Sequence, residues 1–144
     1  MDLFCKLKRM KIFLIDDDKW IRDSLSIFFE GERCHFMAYE TAEEALAALE
    51  EGSSIFIVDY KLPGMDGLEF FKRIQESHPH AMKILITAFA DAGVVSQATS
   101  IGVEDFIEKP FTSKTIEESL SRVMEKQKKD KKSHVAGSAD EKEI

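Results

Sequence analysis

Cysteine is scarce: Cys5 and Cys34 are two residues in 144, too few to staple a small scaffold. That excludes a disulfide framework and points to a reducing compartment, with both thiols expected to be buried or half-buried. Basic charge is short as well, with 20 Lys and Arg against 27 Asp and Glu, for a formal net charge of -7. This balance opposes broad binding to nucleic-acid phosphates or anionic lipid and favours cations and basic protein partners. No apolar run is long enough to span a bilayer. The amino end, MDLFCKLKRMKIF, lacks the long apolar stretch and small-residue cleavage pattern of a secretory signal, so the expected location is the cytoplasm. His35, His78, His80 and His134 show no metal-ligand spacing and are read as surface or loop imidazoles.

What is present is one domain's worth of apolar material, 44% of the residues and 11 Phe among them. Short apolar runs alternate with segments of helical period. The runs are Ile12 to Ile15, His35 to Ala38, Ile55 to Val58, Ile84 to Ile86, and VEDFI ending at Ile107, which read as five strands. After the first run, Ile21, Leu25, Phe28 and Phe29 form one stripe of a helix closed by Gly31. Thr41 and Glu44 have capping-box spacing for a second helix that buries Ala45, Leu46 and Leu49 and ends at Gly52. Asp66 starts a third, with Leu68, Phe71 and Ile74 inward, stopped by His78-Pro79. Asp91 caps a fourth, with Val94, Val95, Ala98 and Ile101 inward and Gly102 closing it. A fifth begins near Thr112 or Ser113, buries Ile116, Leu120 and Val123, and runs out into EKQKKDKK. The expected organisation is an N-terminal extension over 1–9, a folded domain over 10–126, and a charged, disordered tail over 127–144.

Five apolar strands alternating with helices imply an α/β fold: a doubly wound parallel sheet covered on both faces, in three layers. In such sheets the working site lies beyond the carboxyl ends of the strands, where strand order reverses. The residues there are Asp16 and Asp17 after the first strand, Asp59 after the third, Thr87 after the fourth, and Lys109 just past the fifth. Parallel strands share a direction, so these five side chains are expected to form one pocket.

Carboxylates a few ångströms apart repel, so the acids need positive charge beside them. An all-oxygen site suits a hard divalent cation such as Mg2+, and Lys109 can complete the charge balance. An oxygen nucleophile, a metal to neutralise phosphate oxygens, and fixed donors for the rest are what phosphoryl transfer requires. Asp59 is the natural nucleophile, Asp16 and Asp17 the metal holders, Thr87 a hydroxyl donor to one phosphoryl oxygen, and Lys109 the partner of another.

The stretches IFLIDDD, IFIVDYKLPGMDG, ILITAFA and DFIEKPF resemble the four signatures of response-regulator receiver domains of two-component systems, the chemotaxis-regulator-like class, over roughly residues 10 to 125. The resemblance implies a flavodoxin-like (βα)5 fold with strand order 2-1-3-4-5. It implies Mg2+ on Asp17, Asp59 and the backbone carbonyl of Lys61, with Asp16 assisting through water. A histidine kinase or histidine phosphotransfer protein would donate the phosphoryl group to Asp59, and a downstream protein target would read the change. It further implies a cis bond between Lys109 and Pro110, and an aromatic switch at Phe106 that answers movement of Thr87. Lys61 and Phe89 stand where the family tunes phosphate lifetime. The face made by the fourth helix, fifth strand and fifth helix would bind partners, a second copy of the chain among them.

Each residue also has a plainer reading. Asp18 is expected to cap the first helix rather than bind metal. Trp20, in the first turn after the acidic loop, is expected to pack in the core, though metal nearby would make it a fluorescence reporter. Met65 serves the PGMDG turn. The lysine-rich stretch from Lys126 to Lys132 reads as a solvated helix end or linker. Three rival functions are weaker. A dehalogenase-type phosphatase would use Asp16 and Asp18, but would leave Asp59 and the Lys-Pro pair unexplained. A flavodoxin-like cofactor binder would want a Gly-rich phosphate loop where three aspartates stand. A docking-only receiver would have no need of the intact acids, Thr and Lys.

Overall fold

A computed structural model describes residues 2–52, 54–89 and 91–127. The strands are β1 (Lys11–Ile15), β2 (His35–Tyr39), β3 (Ser54–Asp59), β4 (Met82–Thr87) and β5 (Asp105–Glu108). All neighbours pair in parallel, in the order β2-β1-β3-β4-β5. The helices are α1 (Leu3–Leu7), α2 (Lys19–Gly31), α3 (Ala42–Ala47), α4 (Gly67–Ser77), α5 (Ala92–Ser100) and α6 over 113–127. This is the doubly wound fold that the alternation of strand and helix signals demands.

Alternate residues of each central strand feed opposite faces. Phe13, Ile15, Phe56, Val58 and Leu85 pack with α3, α4 and α5, whereas Ile12, Leu14, Ile55, Ile57, Ile84 and Ile86 pack with α1, α2 and α6. β3 and β4 are buried at every position, as strands covered on both faces must be, and β2 at the edge is only half-buried. Phe13 stacks on Phe56 at 4.9 Å, and Phe56 meets Phe70 of α4 edge-on at 5.6 Å, which fixes α4 over the strand that carries Asp59.

Caps set the helix starts. Asp18 accepts from the amides of Trp20 and Ile21, Thr41 from Glu44, Asp66 from Glu69 and Asp91 from Val94. Asp18 is therefore the cap expected of it.

Four details depart from the sequence reading. α3 ends at Ala47 rather than at Gly52, because the amides of Ala48 and Leu49 bond three residues back and tighten the last turn. Glu50 is then drawn out to Lys11 and, through its carbonyl, to His78. Residues within the expected extension form a helix, α1, whose Leu7 is wholly buried and whose Phe4 packs edge-on against Phe28. Trp20 is 78% exposed, since it sits one residue before the α2 stripe of Ile21, Leu25 and Phe28 and so points about 100° away from it. Cys5 is exposed on α1 while Cys34 is buried, so only one thiol is sheltered.

Among the described histidines, His35 and His80 are exposed and His78 is half-buried. His134 and the tail beyond 127 lie outside the described residues. No helix among the described residues is long and apolar enough to cross a membrane.

Candidate functional site

The strand ends bring the acids together by hydrogen-bond register. Past β1, the Asp16 amide donates to the Tyr39 carbonyl at 3.0 Å, so the chain leaves the sheet with Asp16 at its edge. Asp59 is the last residue of β3 and Thr87 the last of β4. The Tyr60 amide donates to Ile86 at 2.8 Å and the Lys109 amide to Thr87 at 2.9 Å, which binds the exits of β3, β4 and β5 into one rim.

On that rim, Asp16, Asp17 and Asp59 each offer a carboxylate oxygen within 4.8 Å of the others. Asp16 is fully buried and Asp59 nearly so, while Asp17 is exposed, so the cluster opens to solvent on one side. Lys109 Nζ lies 2.9 Å from Asp59 Oδ2 and 3.3 Å from Asp16 Oδ2. Among the described residues, Lys109 is the cation ion-paired with the carboxylates of this three-acid cluster.

The electrostatics reflect this arrangement. Burial raises the Asp16 carboxyl from 3.8 to about 6, and the charge of Asp59 pushes the same way, against the Asp18 amide and Lys109. Burial alone would lower the Lys109 ammonium. Its hydrogen bond to Asp59 and the charges of both acids outweigh that, and hold it above its ordinary value.

Asp16 Oδ1 accepts from the Asp18 amide at 2.9 Å and from Lys109 Nζ at 3.5 Å, whereas Oδ2 is buried, with Lys109 Nζ near it as an ion-pair partner but with no hydrogen bond. A buried carboxylate oxygen that has an ion-pair neighbour in Lys109 but no hydrogen bond, in an all-oxygen set beside two more acids, is what a hard divalent cation fits. The residues present thus suit Mg2+.

The other expected residues fall as follows. The Thr87 side chain is buried at the same strand end, yet its hydroxyl is taken up by its own loop. It donates to the Phe89 carbonyl at 3.1 Å and accepts from the Phe89 amide at 3.2 Å. Lys61 is exposed on the loop after β3, where only its carbonyl could serve. Phe106 is half-buried on β5 and packs against the α3, α4 and α5 side of the core. The Lys109–Pro110 bond is cis.

The loop after Asp59 is tightly folded. The Gly67 amide closes it onto the Tyr60 carbonyl at 2.9 Å, and a Cβ on Gly67 would lie 2.5 Å from the Asp59 carbonyl oxygen. Only glycine allows α4 to start that close to the strand.

Sequence reasoning passed over Arg22, whose guanidinium donates to the Asp16 carbonyl at 2.9 Å from the second turn of α2 and steadies the acidic loop. Its only signal was a basic residue six positions after an acid, which is not distinctive.

Comparison with known proteins agrees with this fold. Residues 12–121 match the family described as "Response regulator receiver domain". The C4-dicarboxylate transport transcriptional regulatory protein DctD of Rhizobium meliloti is 36% identical over 118 residues, 81% of this chain and 26% of that protein. The transcriptional regulatory protein FlgR of Helicobacter pylori is 36% identical over 124 residues, 83% of this chain and 32% of that protein. The chain thus spans about a quarter to a third of the length of these curated relatives. Among solved structures, a CheY-like response regulator receiver domain protein from Methanospirillum hungatei superposes with a TM-score of 0.76. It is 28% identical and covers 84% of this chain and 98% of that one.

Proposed function

The chain belongs to the receiver-domain family of two-component response regulators, and from that premise we propose that Asp59 is its phosphoacceptor, loaded in a Mg2+-dependent transfer from a histidine kinase or histidine phosphotransfer protein. The observation that carries this reading is the position of Asp59. It is almost wholly buried at the end of β3, with Lys109 Nζ 2.9 Å from its Oδ2 and two further acids within metal-sharing reach.

In the transfer, an Asp59 carboxylate oxygen forms the new P–O bond as the P–N bond of the phosphohistidine breaks, and the departing imidazole nitrogen takes up a proton. The products are an aspartyl phosphate and a neutral histidine. Asp16, Asp17, Asp59 and the Lys61 carbonyl would hold Mg2+, which when bound supplies positive charge to the phosphoryl oxygens. Lys109 stays beside the acceptor and pairs with a phosphoryl oxygen in place of the free carboxylate. The Thr87 hydroxyl leaves the Phe89 carbonyl to donate to another. That movement vacates space next to β5, and Phe106 is the aromatic residue placed to answer it.

The consequence is signalling rather than turnover of a separate substrate. Residues 10–126 act as the receiver unit in the cytoplasm, with α5, β5 and α6 as the face that a downstream protein or a second copy of the chain reads. Direct nucleic-acid or membrane binding forms no part of this reading, in keeping with the net charge of -7.

A phosphatase with Asp16 as nucleophile is disfavoured by the structure. Asp16 is fully buried and bonded to the Asp18 amide, and Asp18 is committed to capping α2.

The test is labelling with acetyl phosphate or a histidine kinase in the presence of Mg2+. One acid-labile, hydroxylamine-sensitive phosphate per chain is expected, not formed when EDTA is present from the start and absent in Asp59→Asn. Undiminished labelling of that variant refutes the assignment.

A further inference from the structure

The seven residues between β3 and α4 carry the carbonyl of Lys61, and their ends are pinned to the sheet and to each other by the Tyr60 and Gly67 amides. Between those pins Leu62 is buried in the core and Met65 packs against it, but the backbone itself is held by few hydrogen bonds. Among the described residues, 61–65 make one hydrogen bond to another element: the Met65 amide donates to Glu43 Oε2 at 3.3 Å. Glu43 is exposed on α3, remote from the acid cluster in sequence. Its carboxylate also lies against Gly64, so closely that a Cβ there would meet Oε2 at 2.5 Å, and Gly64 has φ +75°. The loop therefore turns in a left-handed conformation directly under the Glu43 carboxylate.

Glu43 is itself fixed. It lies in the first turn of α3, where a negative charge is favoured, and the Thr41 and Glu44 capping pair holds that turn. The capped helix start thus presents an acceptor to the backbone of a loop whose side chains Leu62 and Met65 already face the core.

We propose that Glu43 is a positioning residue for the site: by latching the Met65 amide it sets the path of residues 61–65, and with it the aim of the Lys61 carbonyl toward the cation. The proposal rests on the reading of Lys61 as a carbonyl ligand. Glu43 touches neither the cation nor the phosphoryl group. It acts through the loop backbone, as groups that orient metal ligands commonly do.

The test uses the full chain as wild type, Glu43→Ala and Glu43→Gln. Two quantities are read: hydrogen–deuterium exchange of the 61–66 amides without metal, and the Mg2+ dissociation constant by calorimetry. Glutamine keeps an acceptor oxygen at the same reach, whereas alanine removes it.

The expected result is that Glu43→Ala accelerates exchange at Met65 and weakens Mg2+ binding by about threefold to tenfold, the range of one exposed hydrogen bond. Glu43→Gln should stay within about twofold of wild type in both. Wild-type exchange and affinity in Glu43→Ala would overturn the proposal. So would equal loss of affinity in both variants, because charge rather than the latch would then be responsible. Wild-type protein that takes up no Mg2+ at millimolar concentration would sink the phosphoacceptor reading instead. The exchange rates would then still decide whether Glu43 holds the loop.

Discussion

The acid cluster should destabilise the metal-free protein, and Asp16→Asn measures by how much. Asp16 is fully buried, and its carboxyl is raised from 3.8 to about 6, first by burial and then by the charge of Asp59. Because the folded value exceeds the unfolded one, the folded state binds the extra proton and is favoured at low pH. That advantage is whole below 3.8 and lost as pH rises through 6. At pH 7 the ionised carboxylate costs about 2 to 3 kcal/mol relative to the low-pH condition, and at pH 5 about half that. The amide variant escapes the cost but gives up the pairing with Lys109, so a net gain of about 1 to 2 kcal/mol is expected. The assay is urea unfolding in EDTA, where the Asp16→Asn midpoint should rise by about 1 M at pH 7 and by less at pH 5. Saturating Mg2+ should reverse the order, since a ligand that binds only the folded state stabilises wild type and finds one acid fewer in the variant. A variant no more stable than wild type at pH 7 in EDTA would refute the electrostatic argument.

Three further outcomes follow from the same geometry. Mg2+ affinity should fall about tenfold between pH 7 and pH 5, because Asp16 with its carboxyl near 6 takes up a proton in competition with the cation; calorimetry at the two pH values checks it. Gly67→Ala should cost about 2 kcal/mol or more and impair phosphorylation, since the new Cβ would sit 2.5 Å from the Asp59 carbonyl oxygen; thermal melts and acetyl phosphate labelling read both effects. Asp18→Ala should lose about 1 kcal/mol by removing the acceptor for the Trp20 and Ile21 amides, with the Mg2+ dissociation constant changed by less than about threefold if Asp18 is a cap and no more.

Much of this arrangement was legible in the residues. β3 and β4 are continuous apolar runs because both faces are covered, and parallel strands oblige Asp59, Thr87 and Lys109 to emerge on one edge. Helix starts were readable because Asp18, Thr41, Asp66 and Asp91 each carry the oxygen that the first free amides need. What escaped the reading depends on contacts distant in sequence. α1 has no side-chain cap, and its Leu7 finds a core made by residues far along the chain. α3 is cut short where Glu50 turns to Lys11 and His78. The buried Lys83 on β4 would be misplaced by any burial rule. Its ammonium donates to the Ala81 carbonyl at 3.1 Å, and burial lowers its pKa although the nearby Glu104 charge works against this. The Thr87 hydroxyl could be assigned to the strand end from sequence, but its engagement with Phe89 rather than with the acids is a fact of side-chain geometry.

The central claim is that one oxygen, on Asp59, receives the phosphoryl group. The direct measurement is to load the wild-type chain with acetyl phosphate and Mg2+, reduce the acyl phosphate with borohydride, and sequence the peptides by mass spectrometry. The account predicts homoserine at position 59 and unmodified aspartate at positions 16, 17 and 18. Homoserine at any of those three, with Asp59 unchanged, would contradict it.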